Sequence, residues 1–284
     1  MMLAINITPE EVARRQMTHA HLEEAVRALN NSGYVILNDV VASRSLDMLR
    51  DRMLADVEAF LARDDAPYNF NTSNVQQAPP PFMPYLFRDV LLNDMAVTVT
   101  QAVLGKGVKN TLYSGNTALH STQRQPVHAD AGQLWQGLEA APPAYALVVN
   151  VPVVDVSPRN GSTELWPGTH KDTSVSVHDD IKVSEEALER WRAIAPPFQP
   201  TMRRGGILIR DIRLWHAGMP NQTEQPRPMI AMIHNARWMQ TGHPMKFPRG
   251  TESFFSDHDL KTNAVFVEEP IDYIHAPQAY DYQK

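Results

Sequence analysis

Between residues 110 and 238 the chain alternates short apolar or β-branched runs with turn residues, and no other feature constrains its fold as much. The runs fall at 110–119, 126–129, 145–154, 163–166, 206–210 and 228–238, and Asn160-Gly161 marks a tight turn between the third and the fourth. So many β segments after a helical N-terminal part predict a mainly β fold. The expected form is a double-stranded β-helix, a cupin-like jelly roll of two facing sheets, with the N-terminal helices packed on one of them.

The helical part reads from its caps and stripes. Thr8-Pro9-Glu10-Glu11 opens a helix over 9–32, which Asn30-Asn31-Ser32-Gly33 closes. A strand over 34–41 follows. A second helix over 43–63 carries Leu46, Leu49, Met53, Val57, Phe60 and Leu61 on one stripe. Residues 89–104 read as a third helix ending at Gly105, and 184–193 as a short one opened by Ser184-Glu185-Glu186. From Pro67 to Pro84 Asn, Gln, Pro and aromatics dominate, which predicts an irregular loop. Such a loop is a passive surface segment or a cover over substrate, and in the second case Gln76 and Gln77 would supply hydrogen bonds. With no repeat and no linker, 1–284 reads as one domain: a mostly helical part to about 105, a jelly-roll core to about 240 and a C-terminal extension.

Composition excludes several classes. A net charge of −6 argues against sequence-independent nucleic-acid binding, which needs many cationic phosphate contacts. The absence of cysteine removes disulfides, thiolate metal sites and a cysteine nucleophile. No apolar run approaches the ~20 residues of a membrane span, and Met1–Ile7 carries no secretory pattern. The expectation is a cytoplasmic protein acting on a small molecule, with no nucleic acid or membrane partner, and with a homodimer left open.

Two separated motifs carry the chemistry. In Gln125-Pro126-Val127-His128-Ala129-Asp130 an imidazole and a carboxylate stand two residues apart, and on a strand both would face one way. Leu214-Trp215-His216 offers a second imidazole from a distant run. Two histidines and one carboxylate on one face of an iron leave positions open for a co-substrate and oxygen. Arg227 follows in Pro226-Arg227-Pro228, and a guanidinium grips a carboxylate through two parallel hydrogen bonds. The set reads as an iron(II) site with a 2-oxoglutarate seat. Zinc would bind the same three ligands, so a metallohydrolase stays open on ligand type. Arg227 separates the two, because zinc hydrolysis needs no fixed cation for a second carboxylate. A jelly roll that binds metal or ligand without turnover also stays open. Asn116 and Trp135 flank the first motif and are candidates for the substrate pocket. His170, after Pro167-Gly168-Thr169, reads as structural, and His178 fits no ligand spacing.

These residues, with Gly33-Tyr34-Val35-Ile36-Leu37, Asn160-Gly161-Ser162-Thr163 and Pro167-Gly168-Thr169-His170, resemble the phytanoyl-CoA dioxygenase family of iron(II)/2-oxoglutarate oxygenases, from about residue 20 to about 240. Val75-Gln76-Gln77, Asp89 to Asn93, Tyr113-Ser114-Gly115-Asn116 and Asp211 to His216 bring the chain nearest the subgroup that includes kanamycin B dioxygenase. The resemblance implies His128, Asp130 and His216 on iron, with Arg227, Gln125 and Thr163 against 2-oxoglutarate. It implies O2 as oxidant and oxidation at the metal, with no separate acid or base. Similar halogenases lack the carboxylate and hold a halide in its place. Asp130 fills that position, so the chain is expected to oxygenate or oxidise in secondary metabolism.

Overall fold

The computed structural model describes residues 3–175 and 181–277. After a short strand β1 (Ala4–Asn6), α1 (Pro9–Arg14) begins as its cap predicts. The Thr8 hydroxyl accepts from the Glu11 amide at 3.2 Å, and the Glu11 carboxylate accepts from the Thr8 amide at 3.0 Å. The single helix expected over 9–32 is broken. Arg15 turns into the left-handed region and α2 (His19–Ser32) starts afresh from Thr18. Glu11 explains the break, since its carboxylate also accepts from the Thr18 amide at 2.7 Å and from His21 Nδ1 at 2.9 Å. One buried acid therefore serves two helix starts.

Gly33, at φ +80°, ends α2 and turns the chain into β2 (Tyr34–Asn38). Helix α3 (Ser43–Leu61) buries the predicted stripe through Leu46, Leu49, Met53 and Phe60, which are fully covered. The segment from 67 to 84 is only partly irregular. It forms β3 (Tyr68–Asn69) and β4 (Asn71–Gln76), which extend a sheet, and the long stretch without regular structure is residues 77–87. The helix expected over 89–104 is two, α4 (Arg88–Leu91) and α5 (Asp94–Leu104). Asn93 divides them. Its side chain caps α5 by accepting from the Ala96 amide at 3.0 Å and donates to Val40 O and Asp89 O, both at 2.8 Å.

The remaining elements are β5 (Lys109–Ala118), β6 (Ala146–Pro152), β7 (Glu164–Leu165), α6 (Glu185–Ile194), β8 (Ile207–Asp211), β9 (His216–Ala217), β10 (Arg227–Asn235), β11 (Met245–Pro248), α7 (Glu252–Phe255), β12 (Lys261–Thr262) and β13 (Ala264–Val267). Nine strands form one mixed sheet in the order β1-β2-β8-β6-β10-β5-β4-β3, with β12 also on β5. The facing layer is a ladder of short pieces. Strands β7 and β9 pair, His128 bridges His216 on one side and Lys182 on the other, and Leu165 bridges Phe198. The run at 126–129, which the sequence predicts as a strand, is not one. It contributes the single bridging residue His128, although Val127 O and the Ala129 amide also bond to the 181–183 segment. Pro126, which has no amide to donate, precedes the bridge. Among the described residues no helix is long and apolar enough to cross a membrane.

Alternation along the large sheet positions everything else. On β6, Leu147, Val149 and Val151 join the core that packs against the helices, while Val148 and Asn150 face a cavity between the layers. On β10, Ile230 and Met232 belong to the helix side, and Arg227, Met229, Ala231 and Ile233 to the cavity side. One sheet thus carries a dry face and a ligand face.

Gly33 is where backbone and packing are jointly demanding. A Cβ there would lie 2.6 Å from His170 Nδ1 and 2.7 Å from Leu214 Cδ1, with the backbone left-handed. Gly33→Ala should cost about 2–4 kcal/mol, combining ~1 for left-handed backbone and ~1–3 for overpacking. A denaturant midpoint equal to that of wild type would contradict this.

Candidate metal centre

His128 and His216 face each other across the bridge in the short ladder. The His128 amide donates to His216 O at 2.9 Å, and the His216 amide donates to His128 O at 2.8 Å. This reciprocal pair fixes both Cα positions, and the two rings lie 4.3 Å apart. Each ring is then oriented by its own loop. His128 Nδ1 donates to Pro126 O at 2.9 Å, and His216 Nδ1 donates to Leu214 O at 3.0 Å. A carbonyl can only accept, so Nδ1 of each ring carries a proton and Nε2 is the nitrogen positioned to ligate a metal.

Asp130 completes the group. Ligand atoms of His128, Asp130 and His216 all lie within 4.8 Å of one another, with Asp130 Oδ1 3.5 Å from His216 Nε2. The Asp130 side chain keeps 33% of its surface accessible because it opens on the cavity. Burial acts to raise its carboxyl, but the Arg210 guanidinium and His216 outweigh that and hold it well below the usual carboxylate range. Burial, reinforced by His216, pushes the His128 imidazole down to about 3. At neutral pH the site therefore presents a neutral His128 and an ionised Asp130, the states that bind a divalent cation. The donor set is nitrogen and oxygen with no sulfur, which suits iron(II) in a facial triad.

The cavity over these ligands measures about 320 Å³. Arg227 lies in its wall, buried, with Nη2 donating to Gly161 O at 2.6 Å and Nε to Asn160 O at 3.4 Å. No acid pairs with it among the described residues, and burial alone lowers it to about 10. A buried guanidinium without a carboxylate is a standing receptor for an anion, because its desolvation is left uncompensated. The Asn160-Gly161 turn, with Gly161 at φ +77°, aims the two carbonyls that hold it.

The other expected residues divide. Thr163, Asn116, Gln76 and Gln125 line the cavity. Gln125 has both amide atoms committed: Oε1 accepts from the Gly218 amide at 2.8 Å and Nε2 donates to Asn69 O at 3.1 Å. Asn116 keeps a buried Oδ1 with no hydrogen-bond partner. Gln77 is turned away, donating to Met53 O at 2.6 Å and accepting from Thr117 Oγ1 at 2.5 Å, so it ties β4 to α3 and β5. Trp135 is 54% exposed and is not among the cavity residues. His170 is buried beneath Gly33, and His178 lies outside the described residues. Sequence reading missed Arg210, Asn150 and Ser114, all in the cavity wall. A signal existed for Arg210: a lone cation in the apolar run Ile207-Leu208-Ile209 must find a partner if that run is buried.

A family model described as phytanoyl-CoA dioxygenase matches residues 29–229. The dioxygenase af480 of Aspergillus fumigatus is 24% identical over 251 residues, which are 85% of this chain and 76% of that one. The α-ketoglutarate-dependent epimerase SnoN from nogalamycin biosynthesis is similar in structure with a TM-score of 0.57 at 15% identity, over 77% of this chain and 82% of that one. HygX of Streptomyces hygroscopicus, solved with nickel, 2-oxoglutarate and hygromycin B, gives 0.55 at 14% identity, over 86% and 97%. At these identities the two structural likenesses speak for the fold.

Two ligands cannot hold a divalent ion against water as three do. His128→Ala and His216→Ala should each lose high-affinity binding of iron(II), or of manganese(II) as its stand-in, in an anaerobic titration. Unchanged affinity in either variant would remove that residue from the site.

Proposed function

The chain belongs to the phytanoyl-CoA dioxygenase family, and on that premise we propose that it is an iron(II)/2-oxoglutarate-dependent oxygenase that hydroxylates or oxidises a small molecule. Succinate and carbon dioxide would be released. The observation that carries this reading is Arg227, a buried guanidinium without an acid partner among the described residues, in the same cavity as a two-histidine, one-carboxylate cluster. A zinc hydrolase on these ligands has no use for such a cation. A non-catalytic binding protein would need neither the open metal face nor the anion seat together.

Iron with 2-oxoglutarate and O2 supplies the oxidising chemistry when bound, and the chain supplies position and exclusion of water. His128 and His216 would present Nε2 from the two sides of one rung of the ladder. Asp130 adds the charge that makes the site select a cation. Arg227 would hold the far carboxylate of the oxo-acid through its N–H groups, with Thr163 in the wall of the same cavity. Gln125 shapes the wall through its bonds to Gly218 and Asn69. Gln76, Ser114 and Asn116 leave amide and hydroxyl groups for the substrate. The names of the similar proteins, among them an enzyme of nogalamycin biosynthesis and one holding hygromycin B, support a substrate in secondary metabolism. The nearer likeness to kanamycin B dioxygenase rests on the sequence motifs alone.

Removing one partner of a desolvated charge pair costs about 2–5 kcal/mol. Arg227→Ala should therefore weaken 2-oxoglutarate binding by roughly 30-fold or more, and Arg227→Lys should recover only part of it. Unchanged affinity in Arg227→Ala, measured by titration of the metal-loaded protein, would remove this role. Asp130 occupies the position a halide would need, so turnover in high bromide should give no brominated product by mass spectrometry. A brominated product would mean that Asp130 is not a ligand.

A further inference from the structure

We propose that Arg210 is a positioning residue that restricts Asp130 to one metal-facing oxygen, an inference that rests on the metal-site reading above. Arg210 projects from β8 of the large sheet across the cavity to the segment after His128, and its side chain is 6% exposed. Its Nη2 donates to Asp130 Oδ2 at 2.6 Å. Its Nε donates to Asn150 Oδ1 at 3.3 Å, from the neighbouring strand β6. The other carboxylate oxygen, Oδ1, is the one 3.5 Å from His216 Nε2, on the side where the ligand atoms converge. The two oxygens of Asp130 are thus already divided between a fixed cation and the metal side.

That division matters because a carboxylate beside a divalent cation can bind through one oxygen or both. The second mode uses up a coordination position. A facial triad works by leaving positions open for a bidentate oxo-acid and for oxygen. An Asp130 that swung both oxygens onto the metal would close one of them. A charge-assisted hydrogen bond of 2.6 Å to Oδ2 opposes that swing, and Asn150 keeps the guanidinium from following it.

A nearby arginine shows what a purely structural guanidinium looks like in this fold. Arg213 grips Asp211 through Nε and Nη2, and its Nη1 donates to Gln133 Oε1 and Pro142 O, all between 2.7 and 2.9 Å. Every nitrogen is satisfied. Arg210 instead leaves Nη1 buried without a partner. An incompletely satisfied buried cation lowers stability, which marks Arg210 as held for Asp130 rather than for the core.

The test uses the full chain loaded with manganese(II), with the metal-bound waters counted by water-proton relaxation. Arg210→Gln should lose one coordinated water relative to wild type. Arg210→Lys, which keeps a charged donor for Oδ2, should restore the wild-type count. The same count in wild type and Arg210→Gln would overturn the proposal. A crystal structure of the wild-type protein with manganese(II) tests it without any substitution, should Arg210→Gln not fold. Oδ1 on the metal with Oδ2 still on Arg210 supports the proposal, and both oxygens on the metal overturn it. Wild-type protein that fails to bind manganese(II) at these ligands would overturn the metal-site reading itself, and this inference with it.

Discussion

His128 and His216 exchange both of their backbone hydrogen bonds, and the arrangement of the site depends on that one bridge. It joins residues far apart in sequence at a fixed spacing, so the two imidazoles need no flexible loop to meet. Each ring then spends its Nδ1 proton on the carbonyl two residues before it. Tautomer and orientation are thereby settled by the ligand's own local backbone. The facing ladder is short because little more is asked of it than to hold these rungs against the long sheet.

Buried guanidiniums serve different purposes in this fold. Arg213 is fully satisfied and ties the segment after β8 to the loop at 133–142. Arg210 links the large sheet to the metal-facing carboxylate. Arg227 is held from behind by two turn carbonyls and finds no acid among the described residues. These three buried guanidiniums carry similar desolvation costs, and of the three only Arg213 recovers them fully inside the protein. The other two are incompletely satisfied, at the places the proposed function gives to a metal ligand and a co-substrate.

Much of the fold is legible in the sequence. Thr8 and Glu11 announced a helix cap, Gly33 a helix end and Asn160-Gly161 a turn, because each depends on local backbone geometry. The apolar stripe of α3 and the strands β5, β6, β8 and β10 followed from periodicity. The misses share a cause. The break at Arg15, the division at Asn93 and the strand β4 depend on side chains reaching across the fold: Glu11 to Thr18 and His21, Asn93 to Val40, Gln77 to Met53 and Thr117. Trp135 is close to His128 in sequence only, and it stands at the surface.

The sequence by itself determined which chemistry the chain can offer: two imidazoles, one carboxylate, an arginine after a proline and no thiol. It also determined the alternation that gives β6 and β10 one dry face and one ligand face, since a period of two is a property of the strand alone. Only the tertiary structure decided which side chains are free to act. Gln77 and Gln125 are the same residue type as Gln76, yet distant partners commit both of their amides and leave Gln76 in the cavity wall. Arg210 and Arg213 stand in one short stretch, and what separates them is the number of acceptors the fold brings within hydrogen-bond reach of each. Availability depends on contacts that close only when the two layers meet, and no local pattern encodes them.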